Sequence, residues 1–457
     1  MIAAAAAVLA ALSAIGFPVT TSDPEAQALI DRGLFLYYAY DGGDAAGAFA
    51  AAGRRDPRLA MAPWGEALAD GPDLNTPMTA ERFARAQRAA QAAIALEAGA
   101  SPSERAYLDA TALRYNGTWD DWPSDDAAYR TAMTAVAQRS SGPGGNDAKV
   151  LAAEALLEHG GLAWDAAQPA AGDSRRALEL VDAVLASDPN NVMANHLCIH
   201  LYDDAADRTP ALPCARRLDA AAFPPQAEHL AHMPAHYWIE TGNYAAALAS
   251  SERAYRLFTE LQRVPDRNPE HDRYLQHDVY VGYSAALMLG NYATAQEWSA
   301  RASQVFATPY DSLTALRFGR FDEAYRLAAD ASPAGLAVRG YAALQLGRLS
   351  EARALGDRLR RITTAGYLAQ LFFARLAETD GRDDEAAAWI DRAAEQQSAT
   401  LSAELIPLLP ALEARAGLAL RQRRYDAAVA AYTQALDAFP NDPRASFGLA
   451  QALQAAG

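Results

Sequence analysis

Along most of this chain apolar residues return at every third or fourth position, and no long stretch alternates apolar with polar. The first period is that of a helix with one buried face; the second is that of a half-buried strand. The apolar stripes are built largely from alanine, the best helix former and small enough to let two helices approach closely. Glycine breaks them at intervals. In GNYAAAL (242–248), GNYATAQ (290–296), GRFDEAY (319–325), GRLSEAR (347–353) and GRDDEAA (381–387), the Gly sits where one helix would stop and the following residues open the next stripe. The pattern predicts short antiparallel helix pairs and an all-α chain without a sheet.

Those pairs share a register. In ALEARAGLALRQRRYDAAVAAYTQALDAFPNDPR (411–444), Ala416, Ala428, Tyr432, Ala435 and Pro440 fall at the spacing of the tetratricopeptide repeat, a unit of about 34 residues. Gly33, Ala45, Phe49, Ala52 and Pro57 repeat that spacing near the N-terminus. Small residues let helices A and B of a hairpin close-pack, the larger Tyr432 or Phe49 fills the gap, and each hairpin buries its other face on the next. The expected architecture is therefore an α-solenoid of tetratricopeptide-type hairpins. Its repeats are irregular, because Gly242 and Gly290 stand 48 residues apart (290 − 242) and Gly319 and Gly347 only 28 (347 − 319). Segments 119–126, 140–147 and 263–273 are candidate insertions, and RASFGLAQALQAAG reads as a capping helix. We expect a separate segment over 1–22, N-terminal repeats over 23–120, a central His-rich set over 121–305, and C-terminal repeats with the cap over 306–457.

In that first segment, IAAAAAVLAALSAIG (2–16) resembles the apolar core of a secretory signal, although no positive charge precedes it. Export to the periplasm or the extracellular space is expected, with the mature chain starting between Phe17 and Asp23. If residues 2–16 form a cap helix instead, the protein is cytoplasmic. No other stretch approaches transmembrane length. With 40 Lys and Arg against 56 Asp and Glu, a net charge of −16, the chain offers no basic surface for nucleic acid or an anionic membrane. It also carries no phosphate-binding Gly loop, no serine nucleophile elbow and no Cys-x-x-Cys. Cys198 and Cys214 fall on the two helices of one expected hairpin, where they either bridge in an oxidising compartment or sit as buried thiols.

The chemistry concentrates in histidine. Of eight histidines, seven lie between His196 and His277. His196, His200 and Asp203 follow at i, i+4 and i+7 in HLCIHLYD (196–203), and His229, His232 and His236 at i, i+3 and i+7 in HLAHMPAH (229–236). Each set makes one stripe on one helix face. Such spacing is how a helix offers two ligands to one metal ion, although a single pair ordinarily marks a solvated or hydrogen-bonded face. Counting units from Pro189 and Pro225 sends both stripes, and His277 of the following unit, to the arc of helix A that lines the concave groove, with neighbouring A helices about 10 Å apart. The candidate metal ligands are His196, His200, His229, His232, His236 and His277, and His196, His200, His232, His236 and His277 are expected to meet in one pocket. A nitrogen-rich set suits Zn, Cu or Fe rather than Ca or Mg. Asp203 and Glu154 are candidate general bases, although a mid-helix Glu is ordinarily solvated. Trp64, Tyr237 and Trp238 either line the cavity or pack; His159 reads as a helix-end cation and His271 as a loop residue. Pro234 is expected to bend the helix that carries the second stripe.

Taken in order, FPVTTSDPEAQ, LAMAPWGEALADGPDLN, AAEALLEH with WD, NHLCIHLYD, HLAHMPAHYWIETGNY and YLQHD resemble a family of bacterial, often exported, tetratricopeptide-repeat proteins over roughly residues 17–300. Members read His-Pro-Gly-x-x-His-x-x-Ile-His, then His-x-x-His-Met-Pro-x-His, then His-Asn. This chain departs from them with Asn191 in place of the first His, Glu228 in place of a small residue and Asp278 in place of Asn. If the family's first His is a ligand, this copy has lost it. The resemblance implies a fold and leaves the activity open. Three classes remain: a solenoid with a His-rich transition-metal site, hydrolytic or oxidative if a coordination position stays open; a scaffold whose groove takes a small molecule, peptide or protein; and a structural array whose imidazoles satisfy one another. Metal content separates the first from the others.

Overall fold

A computed structural model of the chain describes residues 15–142, 144–158, 172–203, 205–264, 271–306, 308–329, 331–362, 366–400 and 406–457. Residues 2–14 of the apolar N-terminal run, and His159, lie outside them. Among the described residues every regular element is a helix, and the only β-type pairing is an isolated bridge between Asp73 and Thr76. The chain is the all-α solenoid type that the apolar period predicts, divided into two compact units: residues 1–234 with 253–274, and 235–252 with 275–457.

The first unit begins with α1 (Pro24–Tyr38), α2 (Gly42–Arg55), α3 (Met61–Ala69), α4 (Ala80–Ala95), α5 (Pro102–Arg114), α6 (Trp122–Arg139) and α7 (Gly145–Glu158). It continues with α8 (Gly172–Ser187), α9 (Val192–Tyr202), α10 (Leu212–Ala220) and α11 (Glu228–His232). Side chains just outside the helices start them. Asp23 accepts from the Glu25 and Ala26 amides, Ser101 and Glu104 form a reciprocal capping box, and Asn191 accepts from the Ala194 amide at 3.0 Å. Successive helices pack antiparallel because each has one apolar stripe to bury. Trp64 belongs to this packing. It is 1% exposed and touches Phe17, Phe49 and Tyr107, so of the two readings of Trp64 the structure shows core.

The second unit runs from α12 (Pro234–Glu240) and α13 (Tyr244–Leu261, shared with the first unit) through α14 (His271–Met288), α15 (Tyr292–Val305), α16 (Tyr310–Arg317) and α17 (Phe321–Leu327). After these come α18 (Pro333–Gln345), α19 (Leu349–Leu359), α20 (Tyr367–Thr379), α21 (Asp383–Thr400), α22 (Ala411–Arg421), α23 (Tyr425–Ala438) and α24 (Pro443–Ala456). The five turn glycines read from the pattern, Gly242, Gly290, Gly319, Gly347 and Gly381, all have φ between +72° and +75°, the left-handed corner that a Cβ disfavours. Ala416, Ala428, Tyr432 and Ala435 are buried together, as the repeat register requires.

The small-against-large rule is visible atom by atom. A Cβ on Gly33 would lie 2.7 Å from the Phe49 ring, and one on Gly282 would lie 2.1 Å from Trp298, whose indole N–H is held by Glu252 at 3.1 Å. Trp298 is fully buried and cannot swing away. Gly282→Ala is therefore expected to cost about 1–3 kcal/mol by overpacking, read as a lower urea midpoint. An unchanged midpoint would show that the α14–α15 contact is looser than described.

Candidate metal centre

The histidine helix α9 is set by its two ends. Asn191, which stands where the resembling family has a His, serves here as the N-cap. At the other end Asp203 leaves helical geometry, with ψ at 136°, and its carboxylate turns back toward the last turn. Between them His196 and His200 lie one turn apart, 0% and 4% exposed. His229 arrives from α11, a five-residue helix that follows the short turn Pro225–Ala227, and is also buried.

The three ring edges meet. The Nε2 atoms of His200 and His196 are 3.1 Å apart and those of His229 and His196 3.3 Å, and the three ligand atoms all lie within 4.8 Å of one another. Two nitrogens on a tetrahedral zinc, with bonds of roughly 2.0–2.1 Å, would sit about 3.3 Å apart. Two of the outer nitrogens face acceptors. Nδ1 of His200 is 2.9 Å from the Asp203 carboxylate, and Nδ1 of His196 is 3.3 Å from the Tyr38 carbonyl. Carboxylate and carbonyl accept only, so both Nδ1 atoms must carry the proton and both Nε2 atoms are left with lone pairs. The Asn75 side-chain amide borders the set, its nitrogen 3.4 Å from Nε2 of His229. Three Nε2 atoms therefore converge at a spacing that ligands of one divalent cation adopt.

Aromatic rings wall this set. Tyr40 lies 4.4 Å from the His196 ring and 5.5 Å from that of His229, and Tyr274 packs on His229 at 4.6 Å. Tyr40 also has φ at +59°, a conformation costly for a bulky residue, and it is buried. Burial first, then Glu154, Asp73 and Glu158, hold its hydroxyl well above the ordinary tyrosine value. Glu154, one of the two candidate bases, is 1% exposed rather than solvated and accepts from the Tyr37 hydroxyl at 2.6 Å. Burial, reinforced by Glu158, raises its carboxyl far above the usual range.

His232 is buried with its ring 6.3 Å from that of His229, and the helix is interrupted at Met233, where Pro234 offers no N–H. In the second unit His236 and His277 face each other with Nε2 atoms 3.1 Å apart, and Asp278 beside His277 is buried. His271, read as a loop residue, is instead the first residue of α14. Tyr40, Asn75 and Tyr274 carry no spacing signal and were not legible as site residues, although Asn75 ends one of the segments that bear the family resemblance.

Cys198 on α9 and Cys214 on α10 are joined in a disulfide, which decides between the two readings of the cysteines. A cross-link closing 16 residues restricts the unfolded chain by about 3 kcal/mol. Urea unfolding with and without dithiothreitol is expected to differ by about that much; superimposable curves would contradict it.

Residues 419–457 match the tetratricopeptide-repeat family. No curated protein matches the chain. Among solved structures, a tetratricopeptide repeat protein from Parabacteroides merdae is 14% identical, with 64% of this chain and 93% of that one covered and a TM-score of 0.35. Yeast Tom70 is 14% identical over 95% and 97% of the two chains with a TM-score of 0.27, and the human IFIT1 dimer 12% identical over 99% and 95% with a TM-score of 0.35. The repeat match is confined to residues 419–457 and overlaps the helix hairpin that buries Ala416, Ala428, Tyr432 and Ala435 together.

Proposed function

We propose that this repeat protein binds a transition metal ion, Zn, Cu or Fe, through His196, His200 and His229. The observation that carries the reading is the convergence of three Nε2 atoms at ligand spacing, two of them on imidazoles whose Nδ1 faces an acceptor. Asp203 acts in it by orienting His200, in the manner of the carboxylate that backs a zinc-bound imidazole. Three protein ligands leave a fourth tetrahedral position, the arrangement of catalytic rather than structural zinc sites, and with Asp203 engaged by His200 the remaining candidate for handling a proton is Glu154. His232, His236 and His277 are further candidate ligands by the same chemistry. Elemental analysis of protein purified without added metal, followed by titration with Zn²⁺ after chelation, tests the proposal; fewer than about 0.2 equivalents in both would end it.

A second reading, peptide or protein docking by the C-terminal repeats, is favoured by a cavity of about 150 Å³ lined by Tyr341, Arg375, Arg421, Tyr432 and Arg444. Pull-down with residues 306–457 deleted is its test, because the metal reading predicts retained metal in that variant. We also place the protein in an oxidising compartment, a proposal supported by the disulfide and by the apolar run 2–16. Intact mass of the protein from its native host decides it.

A further inference from the structure

Beside the histidines the first unit holds a cavity of about 520 Å³ that the metal reading does not use. Its mouth is aromatic and its floor acidic: Trp119 and Trp122 on one side, Asp73, Asn75, Asp126 and Glu158 on the other. Asn75 belongs to both places. Its backbone N–H donates to Asp73 Oδ1 at 2.8 Å inside the tight Asp73–Thr76 turn, and its side-chain amide lies 3.4 Å from Nε2 of His229 while also lining the cavity. The cavity and the centre thus share a wall one side chain thick.

The floor has acceptors to spare. The Arg114 guanidinium is divided between Asp126 Oδ1 at 2.9 Å and Glu158 Oε2 at 2.5 Å. Glu158 Oε1 has no hydrogen-bond partner among the described residues, although the side chain is only 2% exposed. A buried acceptor left in this state calls for a donor. Around the cavity three carboxylates face a single guanidinium that is already committed, so an anion is disfavoured and a cation is welcome. The indole of Trp119, 40% exposed at the mouth, supplies a flat face that attracts a cation or an apolar ring.

We propose that this cavity is the ligand pocket of the histidine centre and that it takes a small primary amine, the ammonium donating to Glu158 and the apolar body lying on Trp119. The amine pocket stands on its own residues; only its role as the centre's substrate site rests on the metal reading. A larger amine seated on Glu158 would place its far end against Asn75 and so beside His229.

Benzylammonium is the probe, with benzyl alcohol and benzoate as its neutral and anionic counterparts, titrated by calorimetry into the full-length protein in chelated and Co²⁺-loaded forms. Saturable binding of benzylammonium, with at least tenfold weaker binding of both counterparts, is expected. Trp119→Ala and Glu158→Gln should each weaken it roughly tenfold while leaving metal stoichiometry unchanged. Trp119→Ala, at an exposed position, keeps the test meaningful if Glu158→Gln fails to fold. Absence of binding, equal binding of benzoate, or unchanged affinity in Trp119→Ala overturns the pocket. In the Co²⁺ form a longer amine, 4-phenylbutylammonium, should alter the visible absorption; its binding without a change in that spectrum overturns the link to the centre and keeps the pocket. Failure of the protein to take up Co²⁺ at all ends the metal reading, while the chelated protein still answers for the amine.

Discussion

Replacing His196 by Ala is expected to take bound transition metal from about one equivalent to near zero while the far-ultraviolet circular dichroism stays helical. His196 is the residue whose Nε2 reaches both other members of the set, at 3.1 and 3.3 Å, so its loss leaves two donors that no longer share a neighbour. The fold should survive because each hairpin of a repeat array is held mainly by its two neighbours. A graded companion is Asp203→Asn, which keeps every ligand but offers the Nδ1–H of His200 a neutral amide in place of a carboxylate; metal affinity should fall roughly 10–100-fold. Full metal content in His196→Ala would move the site elsewhere, and equal affinity in Asp203→Asn would remove Asp203 from its orienting role.

The largest effect on stability is expected at Arg114. Its side chain is 2% exposed, paired with Asp126 and Glu158 and stacked over Tyr129 at 4.2 Å and Trp122 at 5.3 Å. Arg114→Met keeps the apolar stem but leaves two carboxyls in the interior without their counter-charge, which costs about 3–5 kcal/mol. Burial already pushes the Glu158 carboxyl up to about 7, against the pull of Arg114. A raised carboxyl is neutral in the folded state at low pH and loses stability as pH climbs from its unfolded value through its folded one. Without Arg114 that loss grows. The stability difference between wild type and variant, from urea unfolding, should therefore widen as the pH rises above about 7, where Glu158 ionises in the folded wild type but stays protonated in the variant. A difference that narrows over that range would mean Glu158 is not the group left stranded.

How much of this was legible beforehand follows from the range over which each property is decided. The apolar period, the turn glycines at 242, 290, 319, 347 and 381, and the small-large alternation at Ala416, Ala428, Tyr432 and Ala435 are local, and all reappear in the structure with the predicted roles. So does the hairpin of Cys198 and Cys214. The stripe of His196, His200 and Asp203 is equally local, because residues three and four apart on a helix share a face whatever the helix packs against.

The third histidine is a different matter. The register groups His232 with His196 and His200 and offers His229 as a further ligand; in the first unit the His229 nitrogen lies 3.3 Å from that of His196. The helix carrying the second stripe is five residues long and stops at His232, so the ideal arc that equates its positions does not extend through Pro234. The acceptor that fixes the His196 tautomer is a backbone carbonyl 158 residues away, and Asn75 reaches His229 across 154.

The amino-acid sequence by itself determined that this chain is a helical repeat protein, that five of its histidines fall at helical spacing in two short segments, and that its chemistry belongs to imidazole and carboxylate. Only the tertiary structure decided which imidazoles share a neighbour, which nitrogens keep their lone pairs, and that a carboxylate-floored cavity opens beside them. The reason is physical: helix periodicity is set by backbone geometry within a few residues, while the direction of a ring nitrogen is set by whichever distant carbonyl, carboxylate or amide packing brings against it.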